Sequence, residues 1–357
     1  MLVEETTLGN TTSYASFSRN NRYRLLRIAK QVVDKLNIDH RVTGCMKMIK
    51  SKSVDVMRNA EGRAYYKGVY SCGSVWVCPV CASRITSARR DELERAIRGN
   101  DYKTLLITFT LQHNRSDDLT NLLNGLNSSL RTLKSGRWWR TFRDKYGLAA
   151  YCSTLEFTYS LNNGWHPHKH MLVFLENDVN VDDFKCDLVE RYTKLIERAG
   201  GYASEFYSID VRAGDDEVGS YLAKWGLADE ATKGMMKQSS KNGGYTPFEL
   251  LVLADEGELF AELAFRDYVQ ATKGKRQLVW SRNARLLLGL GEERTDEEIA
   301  AEGNEDDELI VSFSRDEWNW ILACGLEGEI LDYAEQGGAE SVRMFLSGVS
   351  PPIGGIY

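Results

Sequence analysis

Three of the chain's five histidines fall in one short run, Trp165-His-Pro-His-Lys-His-Met-Leu-Val-Phe174, a concentration that packing alone does not explain. On a β-strand, residues two apart share a face, so His168 and His170 project together and offer two imidazoles to one cation. A hairpin turning on Asn163-Gly164 sets Glu156 opposite His170 on that same face. Two imidazoles and a carboxylate, with positions left open for substrate oxygens, make a catalytic metal site. His166 and His113 are substitute ligands, and a surface histidine cluster at a strand end is the plain alternative.

A second constellation is Glu217, Tyr221 and Lys224, at helical spacing i, i+4 and i+7. On one helix face these line up a carboxylate, a phenol and an ammonium. A phenol is a poor nucleophile until a cation stabilises its oxyanion or the departing charge, which Lys224 or a metal would do, and Glu217 could activate a water for a second attack. By itself this triplet is a weak signal, since surface helices often carry such residues.

The third group is four cysteines, Cys45, Cys72, Cys78 and Cys81, the last two spaced as Cys78-Pro-Val-Cys81. Four thiolates suit a closed tetrahedral structural zinc, Zn2+, and the two extra cysteines argue against a thioredoxin-like redox pair. Cys152, Cys186 and Cys324 read as buried thiols.

The elements that must hold these residues can be read from periodicity. Arg19 to Leu36 carries Leu25, Ile28, Val32 and Leu36 on one face of a basic helix. Strands are expected between Arg41 and Tyr70, and a second basic helix over Ser83–Ile97. Thr104–Leu111 reads as a strand, Asp117–Arg143 as a helix, Ser153–Ser160 and His166–Leu175 as a hairpin, Val181–Ala199 as a helix, Glu205–Val211 as a strand, and Asp215–Leu227 as a helix. Hairpin-paired strands with helices on one face imply an α+β fold with an antiparallel sheet. Thr246–Ala271 reads as one long helix, followed by the basic stretch Lys273-Gly-Lys-Arg-Gln-Leu-Val-Trp-Ser-Arg282. The expected organisation is a basic N-terminal module with the cysteine site (1–100), a core (101–230), a helical and basic extension (231–291), an acidic linker (292–308) with a short helix around Thr295–Ala301, and a small C-terminal unit (309–357).

Net charge is −6, but residues 1–150 carry 26 Lys and Arg against 13 Asp and Glu, leaving 19 against 38 in the remainder. The basic half is a plausible phosphate-binding surface. No apolar run near the N-terminus suggests a signal peptide or membrane span, so a cytoplasmic protein with no membrane partner is expected.

Together the motifs resemble the HUH-type replication initiators of rolling-circle plasmids, in the one-tyrosine Rep family. Leu105-Leu-Ile-Thr-Phe-Thr110 looks like that family's first motif, and Gly164-Trp-His-Pro-His-Lys-His-Met-Leu-Val173 like its metal motif, with His168 and His170 as ligands. Lys169 departs from the usual bulky hydrophobic residue. Tyr221-Leu-Ala-Lys224 matches the tyrosine motif, Glu217 the carboxylate that helps end replication, and Cys72 to Ala82 the upstream cysteine cluster. Thr246-Pro-Phe-Glu-Leu-Leu251 and Gly274 to Arg282 also look familiar from bacterial members.

The resemblance implies an HUH nuclease core of ferredoxin-like or palm type. It implies an endonuclease and strand transferase, using Mg2+ or Mn2+, that nicks single-stranded origin DNA through Tyr221. The products are a 5′-phosphotyrosine and a free 3′-OH, and the strands are rejoined at termination. A host polymerase would extend the 3′-OH, and a host helicase is expected because no GxxxxGK[ST] run occurs. Lys273, Lys275, Arg276, Trp280 and Arg282 are candidates to clamp or stack on the strand. Two alternatives remain at this stage: a transposase or relaxase with the same chemistry, and a zinc-dependent DNA-binding regulator without catalysis.

Overall fold

The computed structural model describes residues 18–213, 244–301, 303 and 306–349. The chain divides into two compact units. One holds the described residues within Met1–Cys72, Cys78–Val80 and Ala300–Tyr357; the other holds those within Gly73–Val77 and Cys81–Ile299. No described helix is long and apolar enough to cross a membrane.

In the first unit, helix α1 (Arg19–Lys35) begins at Ser18, whose side chain accepts the Asn21 amide, and buries Leu25, Leu26, Ile28, Ala29, Val32 and Val33. Strands β1 (Val54–Arg58) and β2 (Ala64–Lys67) pair antiparallel. On its other edge β1 takes a strand from far along the chain, β8 (Glu308–Phe313), giving the order β2-β1-β8. Part of the stretch read from sequence as a separate small unit, the strand Glu308–Phe313, therefore completes a sheet begun near the N-terminus. The helix Glu327–Ser347 is held to α1 by ion pairs from Arg19 to Asp332 and Glu335, 2.6 Å each, and from Arg27 to the buried Glu327, 3.0 Å.

The second unit is built on a five-stranded antiparallel sheet of order β6-β3-β5-β4-β7: β3 (Lys103–Phe109), β4 (Leu148–Ser160), β5 (Gly164–Leu175), β6 (Ile209–Ala213) and β7 (Leu278–Trp280). Helices α3 (Leu119–Leu133), α4 (Gly136–Tyr146) and α5 (Val181–Arg198) cover one face. Phe109 meets Tyr192 of α5 there, and Tyr151 meets Trp139 of α4. A further helix, α2 (Pro79–Arg98), packs Leu93, Ala96 and Ile97 on the opposite face against Leu106, Cys152, Leu172 and Phe174. The expected helical layer on one face is thus α3 to α5, and α2 adds cover on the other.

Two expected elements differ in detail. The helix read over Asp117–Arg143 is two helices, separated at Gly136 in the left-handed region (φ +73°). The long helix read over Thr246–Ala271 is likewise two, α6 (Pro247–Asp255) and α7 (Leu259–Thr272), broken at Gly257 (φ +92°). Left-handed φ is cheap only for glycine and ends a helix, whereas apolar periodicity carries across such a break unnoticed. The acidic 292–308 segment is mostly exposed among its described residues and carries a short helix, Asp296–Ala300; Ile299 and Ala300 are buried, and Asp296 pairs with the buried Arg89 of α2 at 3.1 Å.

Candidate metal centres

The β4–β5 hairpin carries the histidine site. Its loop is Leu161-Asn-Asn163, closed by the Ser160–Gly164 pair, with Gly164 at φ +74°. A Cβ there would lie 3.1 Å from the Arg115 Cα, so this residue must stay glycine for two reasons. The register differs from expectation by two residues. Glu156 pairs with His168, and Thr154 pairs with His170. The expected turn on Asn163-Gly164 paired positions summing to about 326; the loop is instead centred one residue earlier, on Asn162, so pairs sum to 324, and because the shift is even each side chain keeps its face.

Glu156, His168 and His170 do converge, with one ligand atom from each lying within 4.8 Å of the others. Glu156 Oε2 is 2.7 Å from His170 Nε2. His170 is buried, and its Nδ1 lies 3.0 Å from Thr108 Oγ1 on the neighbouring strand β3, a contact that fixes the ring and leaves Nε2 for the cation. His168 Nε2 lies 3.0 Å from His166 Nε2, His166 is 2.7 Å from Thr110 Oγ1, and His113 lies over the His166 ring at 4.4 Å. Burial, reinforced by His168, drives the His166 pKa down to about 3. Burial also drives His168 down to about 4, against the pull of Glu156. Both rings are therefore neutral near pH 7, the state in which an imidazole donates to a metal. Thr154 Oγ1, directly across from His170, is buried with no hydrogen-bond partner among the described residues, an orphan that suits a hydrated cation beside it. The donor set of two imidazoles and a carboxylate fits a divalent cation with open positions.

The cysteine cluster is a second such group. Cys45, Cys72, Cys78 and Cys81 are all buried, and their sulfurs lie within 4.8 Å of one another. Cys45 follows a 3-10 turn (Arg41–Gly44), and the Cys72 amide donates to its sulfur at 3.4 Å. The residues after Cys45 and Cys72, Met46 and Gly73, both have positive φ (+59° and +61°), folding the chain tightly around the sulfurs. Met46 is held in that conformation by the Trp318 indole, which donates to its carbonyl at 3.0 Å. Cys78 and Cys81 come from the start of α2. Four buried thiols without disulfides form a closed, sulfur-only donor set, the pattern of a structural metal. The other cysteines only partly match expectation: Cys152 is buried, Cys186 is exposed and Cys324 is half-buried.

Glu217, Tyr221 and Lys224 lie outside the described residues. Among the described residues, Ala213 pairs with Leu105 of β3 and Tyr245 is bridged to Tyr159 of β4.

Of the residues expected to touch nucleic acid, Lys273, Arg276 and Arg282 are exposed, and Arg276 is 3.6 Å from Glu293. Lys275 is half-buried, and its carbonyl accepts the Trp76 indole at 2.7 Å. Trp280 belongs to edge strand β7, with its indole on Glu92 and its ring 6.3 Å from that of Phe174, so it is engaged inside the unit. Reading from sequence missed Thr108 and Thr110. Their alternation on the strand Thr104–Leu111 was the available signal, but the β3–β5 pairing that gives it meaning is not local.

The replication protein family matches residues 67–322, well over half of the chain. Protein rep of Streptomyces lividans is 25% identical over 365 aligned positions, covering 80% of this chain and 79% of that protein. The neomycin resistance protein of Streptomyces cyanogenus is 26% identical over 145 positions, 33% of each chain. No solved structure is a significant match.

Proposed function

This chain belongs to the replication protein family, and from that membership we propose that it initiates plasmid replication by nicking one strand of origin DNA with Tyr221. The observation that carries the reading is the convergence of Glu156, His168 and His170 on one sheet face, with two neutral imidazoles and a carboxylate on adjacent strands. Mg2+ or Mn2+ held there would polarise a non-bridging oxygen of the scissile phosphate. Thr108 holds His170 in its ligating orientation, and Thr110 contacts His166, which lies against His168.

In the proposed reaction the Tyr221 oxygen attacks phosphorus in line, the phosphorus–O3′ bond breaks, and the departing 3′ oxygen takes up a proton as the phenol loses its own. Lys224 offsets the developing negative charge. The tyrosyl phosphodiester conserves the bond energy for rejoining. Only one tyrosine lies in this motif, so Glu217 directs water, the second nucleophile, when the regenerated origin is cut at termination. The four cysteines hold Zn2+ as a structural metal.

The test is incubation of the protein with single-stranded DNA of the candidate origin and Mn2+, followed by a denaturing gel. A protein–DNA adduct present in the native protein and absent in Tyr221→Phe supports the reading. Tight duplex binding with no adduct on any origin strand would replace it with a non-catalytic DNA-binding role. Glu217→Ala should still nick but fail in termination.

A further inference from the structure

Among the described residues, every Phe, Tyr and Trp side chain is buried or half-buried except three, Tyr202, Phe206 and Tyr207, which are 57%, 81% and 82% exposed and share one short turn. The backbone that carries them is firmly held. The Gly200 and Gly201 amides donate to the Glu197 and Ile196 carbonyls at the end of α5, and a Cβ on Gly201 would lie 3.1 Å from the Ile196 side chain. Ala203 and Ser208 are buried, the Phe206 amide donates to Ser204 Oγ at 3.2 Å, and the Ser208 amide donates to the Ser204 carbonyl at 2.9 Å. The rings thus face solvent from a fixed turn, with those of Phe206 and Tyr207 6.4 Å apart.

This turn runs beside the histidine site. The Gln112 amide donates to the Tyr202 carbonyl at 2.8 Å, the Thr110 amide donates to the Ser208 carbonyl at 2.9 Å, and Asp210 pairs with Thr108 of β3. Thr108 and Thr110 are the residues whose hydroxyls contact His170 and His166. Exposed rings are what unpaired bases stack on, because every base has a flat π face. Glu205 is the only charged residue from Ala199 to Ile209, so the turn offers phosphate no cation and presents faces for bases instead. Three partly exposed aromatic side chains offer on the order of 500 Å² or less, short of the roughly 800 Å² that each partner buries in a standard protein interface, whereas one ring suffices for one base.

We propose that Tyr202, Phe206 and Tyr207 form a stacking platform for the unpaired bases next to the scissile phosphate, so that the strand is held by its bases on this turn and by its phosphate at the histidine centre. The proposal rests on the reading that single-stranded DNA crosses that centre, and it adds the residues that hold the bases. Stacking accepts any base, so the platform sets affinity and the path of the strand rather than its sequence.

The test uses the full chain without added divalent cation, measuring anisotropy of a labelled oligo-dT and of an equally long strand of abasic nucleotides across a salt series. The native protein should bind the base-bearing strand more tightly. Tyr202→Ala/Phe206→Ala/Tyr207→Ala should weaken oligo-dT binding by about five-fold or more, the effect of losing one stacked base, while the abasic strand's affinity and the salt dependence stay as they were. Tyr202→Phe/Tyr207→Phe keeps the rings and should retain binding. All three side chains are exposed, so the alanine variant should melt at the native temperature, which separates lost stacking from lost folding. If the alanine variant binds oligo-dT as tightly as the native protein, or if both strands lose affinity equally, the proposal is overturned. A native dimer in sedimentation that the alanine variant abolishes, with oligonucleotide binding unchanged, would overturn it too and assign the patch to a second copy of the chain. Adduct formation at Tyr221 is read separately: an adduct without a base preference sinks the platform alone, and a base preference without an adduct sinks the nicking reading alone.

Discussion

Glu156 and His170 touch through Oε2 and Nε2 at 2.7 Å although they are not cross-strand partners; they sit diagonally on the hairpin, two residues out of register. The diagonal contact brings the carboxylate to the same imidazole nitrogen that would face the cation, and a bound ion would replace this hydrogen bond with two coordinate bonds. Glu156→Gln keeps the shape but removes the charge. It should therefore weaken Mn2+ binding more than any change in folding stability would explain, as checked by calorimetric titration beside urea unfolding.

Thr108→Val should weaken Mn2+ binding roughly 10–100-fold, because Thr108 Oγ1 holds His170 Nδ1 and such orienting partners typically contribute that much. Calorimetry on the purified variant reads this directly, and unchanged affinity would remove Thr108 from the site.

In protein freed of the divalent cation, stability should fall as the pH drops below neutrality. His166 and His168 have folded-state pKa values lowered to about 3 and about 4, beneath the unfolded value, so below pH ~6.5 the unfolded chain binds more protons. Their neutral-state stability is fully present above that pH and is lost as the pH falls toward 4. The loss between pH 7 and 5 should be on the order of 1–2 kcal/mol per histidine. Urea midpoints across that range would show it, and His166→Gln should flatten the curve.

Purified, fully reduced protein should carry one tightly held zinc per chain, and Cys45→Ser should lose it together with much of the melting temperature, because the buried sulfurs would be left without their cation. Metal analysis with thermal unfolding checks this. A folded, reduced, zinc-free protein of normal stability would contradict it.

Trp280→Ala should act mainly on stability, by about 3 kcal/mol, because the indole sits on Glu92 and packs near Phe174. Oligonucleotide affinity, measured where the variant is still folded, should change little; a large loss there would return Trp280 to the DNA-binding surface.

The sequence by itself determined the candidate ligand sets and most of the local elements. The histidine run, the cysteine spacing and the apolar periodicity of α1, α3 and α5 are short-range patterns, and each depends on neighbours within a few residues. The face shared by Glu156, His168 and His170 was legible too, since strand alternation survives an even shift of register. Tertiary structure decided what depends on residues far apart in the chain. The hairpin's true register followed from a loop centred on Asn162, one residue earlier than expected, and Gly136 and Gly257 divided helices whose apolar pattern ran straight through them. The β1–β8 pairing joined residues 54–58 to 308–313. Long-range pairing of this kind is selected by the total burial of the folded chain, a quantity that no local window of sequence contains.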